Sequence, residues 1–401
     1  MPRKLKLILL LPFAAALVLA MVAVSPIRRV RLGQIGSARL GHLVTNVEAY
    51  LCKIDAGLLA TPPSCINVFF NEEYVCNEEI ANQWRRRLLV LPFSRVAYLA
   101  ARILARSDLL SKRHLIPKSE LSVLGFETER AIHKFRGHLT VSSDIAREGE
   151  NMLSGISRGK PLACLHVRDS SYLRHTQPGA DYSYHDYRDW RCEDLALVVK
   201  ELTDRGFFLV RMGAFVDDDF PFNGSNVFDY AKSKFRSDRM DLFLGSRCDL
   251  WVGAASGLMD VPFAFRRPLV IVNHVSPLIP TEPRFSLYAD SLWICKKYWS
   301  ETKARLLSFR EIVESGAGGY GRSDQFKANG IRLIDNSPEE IRDATVEMIE
   351  RLNGNWNATA EDERNQKRLW ALWGESAYVH AMQGNVRVGA RFLSANPELL
   401  S

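Results

Sequence analysis

The hydrophobic pattern of this chain begins with an apolar run from Leu7 to Val24, broken only by Pro12, with Arg3, Lys4 and Lys6 before it and Arg28, Arg29 and Arg31 after it. Such a run is long enough to cross a bilayer as a helix. Basic residues on both flanks leave its orientation open. Ala23-Val24-Ser25 resembles the small-residue site of a cleaved signal, but Pro26 directly follows it, so residues 1–29 are read as an uncleaved anchor. After it the pattern changes to short apolar runs alternating with amphipathic stretches. Val30 to Ile35 reads as a strand, Leu43 to Lys53 as a helix, Ile66 to Phe70 and Leu88 to Leu91 as strands around a charged helix at Asn77 to Arg87, and Val96 to Arg106 as an Arg-bearing helix. Ser107 to about Gly137 has no clean period.

A helix around Ile145 to Ile156 and the turn Arg158-Gly-Lys-Pro161 precede a second run of alternation. Leu162 to Val167, Phe207 to Met212 and Val227 to Tyr230 read as strands, with helices at Glu193 to Thr203 and Asp238 to Ser246. Asp249 to Gly253, then Ala254-Ala255-Ser256-Gly257, a helical segment to Phe265 and Pro268 to Asn273 complete a strand, turn, helix and strand in one short stretch. Ser337-Pro338-Glu339-Glu340 supplies a cap, a Pro at the first helical position and a capping Glu for the first helix of a helical tail. These patterns predict an α/β chain: an anchor over 1–29, an α/β domain over 30–157, a second over 158–336 with about five strands, and C-terminal helices over 337–401 packing back on the first domain.

With 401 residues, 47% of them hydrophobic and 25% charged, the composition is globular and excludes a disordered chain. The formal net charge of +7 suits a polyanionic ligand or an anionic membrane surface. Its Arg residues are dispersed and accompany no nucleic-acid motif, so no nucleic-acid partner is expected. Seven Cys lack C-x-x-C spacing, which argues against a disulfide framework or a zinc site and for buried thiols in a reducing compartment. Asp217-Asp218-Asp219 runs in tandem and lacks the spacing of many metal-dependent sugar transferases, so no metal and no cofactor are expected.

Ligands of open α/β sheets sit outside the carboxyl ends of the strands. His166, Arg168 and Asp169 follow one predicted strand, and Ser256 and Gly257 follow another where a helix is expected to begin, a place that suits phosphate. Arg168 is a candidate bidentate clamp on phosphate and His166 a second donor. Asp181 to Trp190 gathers Tyr184, Arg188 and other aromatic and charged groups, a composition that suits a sugar or nucleoside. A general base for an acceptor hydroxyl could come from Asp181, His185 or Asp186, and nothing in the sequence selects among them. Ser237, Asp238 and Asp241 suit a helix N-terminus, whereas Arg236 just outside it is not needed for capping and is a further phosphate candidate. Arg39, Gly41 and His42 follow the first predicted strand, where they could hold an acceptor, with His42 another possible base.

Taken together, Arg39 to Leu43, His166 to Tyr172, Asp181 to Arg188, Val210 to Gly213, and Ser237 to Asp241 with Ser256-Gly257 resemble a bacterial family of glycosyltransferases often found with surface-polysaccharide biosynthesis. The resemblance implies a GT-B-like architecture: two Rossmann-like domains facing a cleft, with nucleotide-sugar bound mainly by the second and no required metal. His166-Val-Arg168 is also distantly similar to the His-x-Arg-Arg of certain fucosyltransferases, with Asp169 in place of the second Arg. The expected activity is transfer of a hexosyl or deoxyhexosyl group from a nucleotide-sugar to a glycan or lipid-linked acceptor, at the cytoplasmic face of the inner membrane. The alternative is a binding module for a nucleotide-sugar or a polysaccharide-assembly partner that catalyses nothing.

Overall fold

The computed structural model describes residues 3–59, 64–122, 131–176, 179, 181–276, 291–372 and 387–401. The chain divides into two compact units, 1–140 and 141–401.

In the first unit, strands β1 (Arg29–Ile35), β2 (Cys65–Asn71) and β3 (Val90–Leu91) form a parallel sheet in that order, with Leu32 opposite Val68. The intervening helices include Val47–Asp55 and Glu78–Arg87, the latter started by Asn77, whose side chain accepts from the Ile80 amide at 2.9 Å. The apolar N-terminal segment is a helix, Arg3–Val24, and its 7–24 window is long and apolar enough to cross a membrane, with a mean hydropathy of 2.9. Only one stripe of that helix is covered. Ala14, Val18 and Met21, spaced to share one helix face, pack with Ala97, Ala100 and Leu104 of the Ser94–Leu104 helix, while Phe13 and Leu19 stay exposed.

In the second unit, seven parallel strands are ordered β13-β9-β8-β7-β4-β5-β6: β4 (Leu162–His166), β5 (Phe208–Arg211), β6 (Val227–Asp229), β7 (Leu250–Gly253), β8 (Leu269–His274), β9 (Leu292–Cys295) and β13 (Arg387–Val388). The central strands are buried along their whole length, as expected of parallel strands covered on both faces, and their sequences are correspondingly continuous apolar runs. A small antiparallel sheet, β11 (Arg305–Leu306), β10 (Lys297–Ser300) and β12 (Ile331–Ile334), stands beside it.

The division at residue 140 falls before the boundary read from the sequence at 157. The helix Ser143–Ser154 counts with the second unit because Gly149 lies under the Phe243 ring, where a Cβ would come within 2.3 Å of it, and because Asp144 and Glu148 both take Arg239. The described residues of the helical tail also count with the second unit, not the first. Pro338–Leu352 packs on the helix Ala196–Asp204 and on β9, and β13 adds an edge strand to the large sheet. Residues 373–386 of that tail lie outside the described residues.

Ser337 caps Pro338–Leu352 in a reciprocal capping box: its hydroxyl accepts from the Glu340 amide at 3.3 Å, and its own amide donates to the Glu340 carboxylate at 2.9 Å. Ser337→Ala is expected to lower the unfolding free energy by about 1 kcal/mol, read from the shift of the urea midpoint.

Candidate functional site

From β4 the chain passes to β5 and β6 on one side of the large sheet and then returns to β7, β8 and β9 on the other. The reversal lies between β4 and β7, and in such sheets the crevice at the carboxyl ends of that strand pair is where ligands bind. His166, the last residue of β4, stands opposite Gly253, the last residue of β7. The two backbones approach so closely here that a Cβ on Gly253 would lie 2.4 Å from the His166 carbonyl oxygen. Beneath, the His166 ring stacks on Trp251, centroids 5.8 Å apart and planes 22° from parallel.

The segment after β4 and the turn after β7 therefore leave adjacent strand ends. Burial and the neighbouring Arg168 charge hold the His166 imidazole down to about 4, so it is neutral at pH 7. Its Nδ1 is buried with no hydrogen-bond partner among the described residues, and so is the Ser256 hydroxyl. Buried polar atoms are rarely left unsatisfied in native structures, and those that are call for an explanation such as a ligand. The Nδ2 of Asn273, at the end of β8, and the Nε of Arg236, beyond β6, share this condition.

Arg168 is largely buried and held on Asp189 in a short ion pair, with its Nη1 also 3.4 Å from the His185 carbonyl. Asp189 follows a 3₁₀ turn, Ser183–Arg188, which Arg188 ties to the post-β7 turn by donating to the Ala255 carbonyl at 2.7 Å. Burial outweighs the pull of Arg168 and raises the Asp189 carboxyl to about 6. A second cation enters from β9's end: Lys296, only 3% exposed, donates to the Asp189 carbonyl at 2.8 Å and pairs with Asp335 at 2.7 Å. Burial lowers its ammonium below the usual lysine range.

The sequence reading missed Lys296 and Asn273, and it held Asp189 within the Asp181 to Trp190 block without giving it a role. The signal for Lys296 is the fully buried run Leu292-Trp-Ile-Cys295 just before it, which marks a core strand ending in a charge. Asn273 offers no such signal. It exchanges backbone-to-side-chain hydrogen bonds with Asn336 at 2.7 Å in both directions, a pairing across 63 residues.

Several expected roles change with the geometry. The helix after Ser256-Gly257 begins only at Asp260 and ends at Ala264, because Gly257 to Met259 form a turn. Its first turn already carries the buried Asp260, so a phosphate at Ser256 would meet the hydroxyl and turn amides, not the open end of a helix dipole. Asp181 is exposed and its carboxylate accepts from the Ser183 amide at 2.9 Å, which holds it below the usual carboxylate range and makes it a weaker base. Asp169 likewise closes a local turn by accepting from the Ser171 amide at 3.0 Å. Tyr184 contacts the His185 ring at 4.1 Å between centroids and takes the Arg322 guanidinium over its face at 4.6 Å.

Ser237 caps the Asp238–Arg247 helix as expected, accepting from the Met240 amide at 3.2 Å. Arg236 turns inward to the buried Asp241 at 3.0 Å, lies 3.8 Å from Asp238, and keeps its buried Nε without a partner among the described residues. Asp241 also accepts from the Tyr230 hydroxyl at 2.8 Å. This network follows β6, two strands from β4, so it flanks the β4–β7 crevice and does not line its centre. Asp217 and Asp219 pair separately with Arg174 and Lys232, and the Asp218 carbonyl accepts from Arg211, so the three tandem acids diverge.

Arg39, Gly41 and His42 belong to the first unit. Gly41 has helical backbone angles, His42 opens a π turn that leads into Val47–Asp55, and Arg39 and His42 are exposed. The Ala38 amide just before them donates to the Glu72 carboxylate at 2.7 Å, so this turn already holds an acid of its own.

By sequence, neither a known protein family nor a curated protein matches the chain. Among solved structures, the ADP-heptose LPS heptosyltransferase II of E. coli is similar over 66% of this chain and 90% of its own, with 17% identity and a TM-score of 0.40. A family 9 glycosyl transferase from Veillonella parvula matches over 67% and 86%, with 13% identity and a TM-score of 0.40. A UDP-GlcNAc 2-epimerase from Neisseria meningitidis, bound to UDP-GlcNAc, matches over 81% and 100%, with 10% identity and a TM-score of 0.36. Likenesses this loose carry no argument about activity.

Proposed function

We propose that the chain is a glycosyltransferase whose second unit holds a nucleotide-sugar by its diphosphate at the carboxyl ends of β4 and β7. One observation carries the reading: two buried polar atoms, His166 Nδ1 and Ser256 Oγ, stand without partners among the described residues at the strand reversal, with the largely buried Arg168 and the buried Lys296 on the neighbouring strand ends. A diphosphate supplies acceptor oxygens and charge that match this set.

In the transfer, an acceptor hydroxyl oxygen bonds to the anomeric carbon as the bond from that carbon to the diphosphate oxygen breaks and its electron pair leaves with the diphosphate. Arg168 and Lys296, fixed in a low-dielectric wall, stabilise the charge that develops there, and the neutral His166 donates in its Nδ1–H tautomer. The acceptor proton goes to a base. His185 beside Tyr184, Asp186, and His42 of the first unit are the candidates proposed for it, with Asp181 engaged by its own turn. The acceptor role is proposed for the Arg39 to His42 segment. We place the chain at a membrane through its 7–24 helix, with the second unit on the cytoplasmic face and a glycan or lipid-linked acceptor in surface-polysaccharide synthesis.

Nucleoside diphosphates and their sugar derivatives are expected to raise the melting temperature of the detergent-solubilised protein, at free ligand a hundredfold above Kd by the equivalent of about 2.7 kcal/mol. A scan across bases and sugars identifies the donor, and sugar release or transfer then follows with that donor. Shifts without hydrolysis or transfer over a broad acceptor panel would reduce the protein to a binding module. No shift with any diphosphate sinks the reading.

A further inference from the structure

The first unit contains a second convergence of chemical groups, built from side chains that have no role in the site above. Glu48 and Cys52 lie one helical turn apart on Val47–Asp55, both fully buried, and His138 reaches them from a segment 86 residues beyond Cys52. The Glu48 Oε1 is 3.3 Å from the His138 Nδ1 and 3.5 Å from the Cys52 Sγ, and the Sγ is 3.9 Å from the Nδ1. A carboxylate oxygen, an imidazole nitrogen and a sulfur thus form a closed triangle, all within 4.8 Å of one another.

The spacing is that of a coordination sphere. Zinc bonds of about 2.0 Å to oxygen or nitrogen and about 2.3 Å to sulfur, at tetrahedral angles, separate the donors by about 3.3 to 3.6 Å. Two of the three edges match and the third is a few tenths of an ångström longer. The outer contacts are also those of a metal site. The His138 Nε2 lies 3.0 Å from the Asp55 carboxylate, which directs the ring proton to Nε2 and aims the Nδ1 lone pair at Glu48. The His138 amide donates to the other Glu48 oxygen at 3.1 Å, so the carboxylate is turned with Oε1 into the triangle. A lone pair facing a carboxylate oxygen needs a positive centre between them, either a proton or a metal ion.

We propose that Glu48, Cys52 and His138 bind a divalent zinc-class ion, with Asp55 orienting the histidine and solvent as the fourth ligand. The mixed oxygen, nitrogen and sulfur donors suit zinc and exclude magnesium or calcium, which take oxygen ligands. The ion would fasten the Val47–Asp55 helix to residue 138, two residues before the first unit ends. Such a site would run against the expectation drawn from cysteine spacing alone, because two of its ligands sit at helical spacing and the third is remote, so no short motif appears.

The test uses the full chain in detergent, stripped with a chelator and titrated with cobalt(II), then with zinc(II). One cobalt per chain is expected, with a thiolate-to-cobalt band in the near ultraviolet and tetrahedral bands in the visible, all displaced by zinc. Cys52→Ser should lose the near-ultraviolet band. Asp55→Asn should keep it while weakening zinc affinity by about 10- to 100-fold. Circular dichroism of both variants guards against loss of fold. If the unaltered chain shows no thiolate band at one equivalent, or if Cys52→Ser shows the same spectrum, the triangle is a protonated hydrogen-bond cluster and the proposal is wrong.

Discussion

Replacing Arg168 with alanine should weaken binding of the nucleotide-sugar about a hundredfold, equivalent to about 2.7 kcal/mol, as measured by titration calorimetry. The size follows from its position: the guanidinium is largely buried beside the strand reversal, where charge-assisted hydrogen bonds are strong. Removing it also strands the Asp189 carboxylate, so the informative comparison is the double variant Arg168→Ala with Asp189→Asn. If the double variant recovers donor affinity, Arg168 merely neutralises Asp189 and contacts no phosphate.

The same pair predicts a pH dependence. Asp189, raised by burial to about 6, is ionised at pH 7 and competes with the ligand for Arg168. As pH falls from 7 to 5.5 it takes up a proton, Arg168 is released, and donor affinity should rise. A nucleotide-sugar is the right probe because its diphosphate lacks the terminal phosphate ionisation near pH 6. His166, held down to about 4, stays neutral through this window and does not contribute. Asp189→Asn should bind more tightly at pH 7 and show a flat profile. An unchanged slope in that variant would assign the dependence to another group.

Gly253→Val is the substitution expected to damage the second unit most. Its Cβ would lie 2.4 Å from the His166 carbonyl oxygen, and the obstacle is backbone that cannot swing aside. Two central strands, β4 and β7, would have to separate at the crevice, at a cost of about 3 kcal/mol or more. Urea denaturation should show a lower midpoint, and donor binding should be lost even where the variant remains folded. Ligand affinity equal to the unaltered protein would mean that the crevice tolerates widening and that the close approach of His166 and Gly253 is incidental.

Much of the architecture can be read from local pattern because hydrophobic period and caps are properties of neighbouring residues. Strands β1, β2, β4, β5, β7 and β8 lie within a residue or two of their apolar runs, and the cap at Ser337 is where Ser-Pro-Glu-Glu puts it. What failed was whatever depends on distant partners. The two-residue β13 exists only because β9 offers it an edge, and the Ser143–Ser154 helix joins the second unit only through Gly149 on Phe243 and the Arg239 ion pairs. The site divides in the same way. The sequence alone determined that His166 lies at a strand's end and that Arg168, Ser256 and Gly257 follow strands, since that is a matter of order along the chain. Only the tertiary structure decided that β4 and β7 are neighbours, that Lys296 and Asp189 join Arg168, that Asp181 serves its own turn, and that Glu48, Cys52 and His138 meet. Those facts rest on strand order and on contacts between residues far apart in the chain, and no local pattern encodes them.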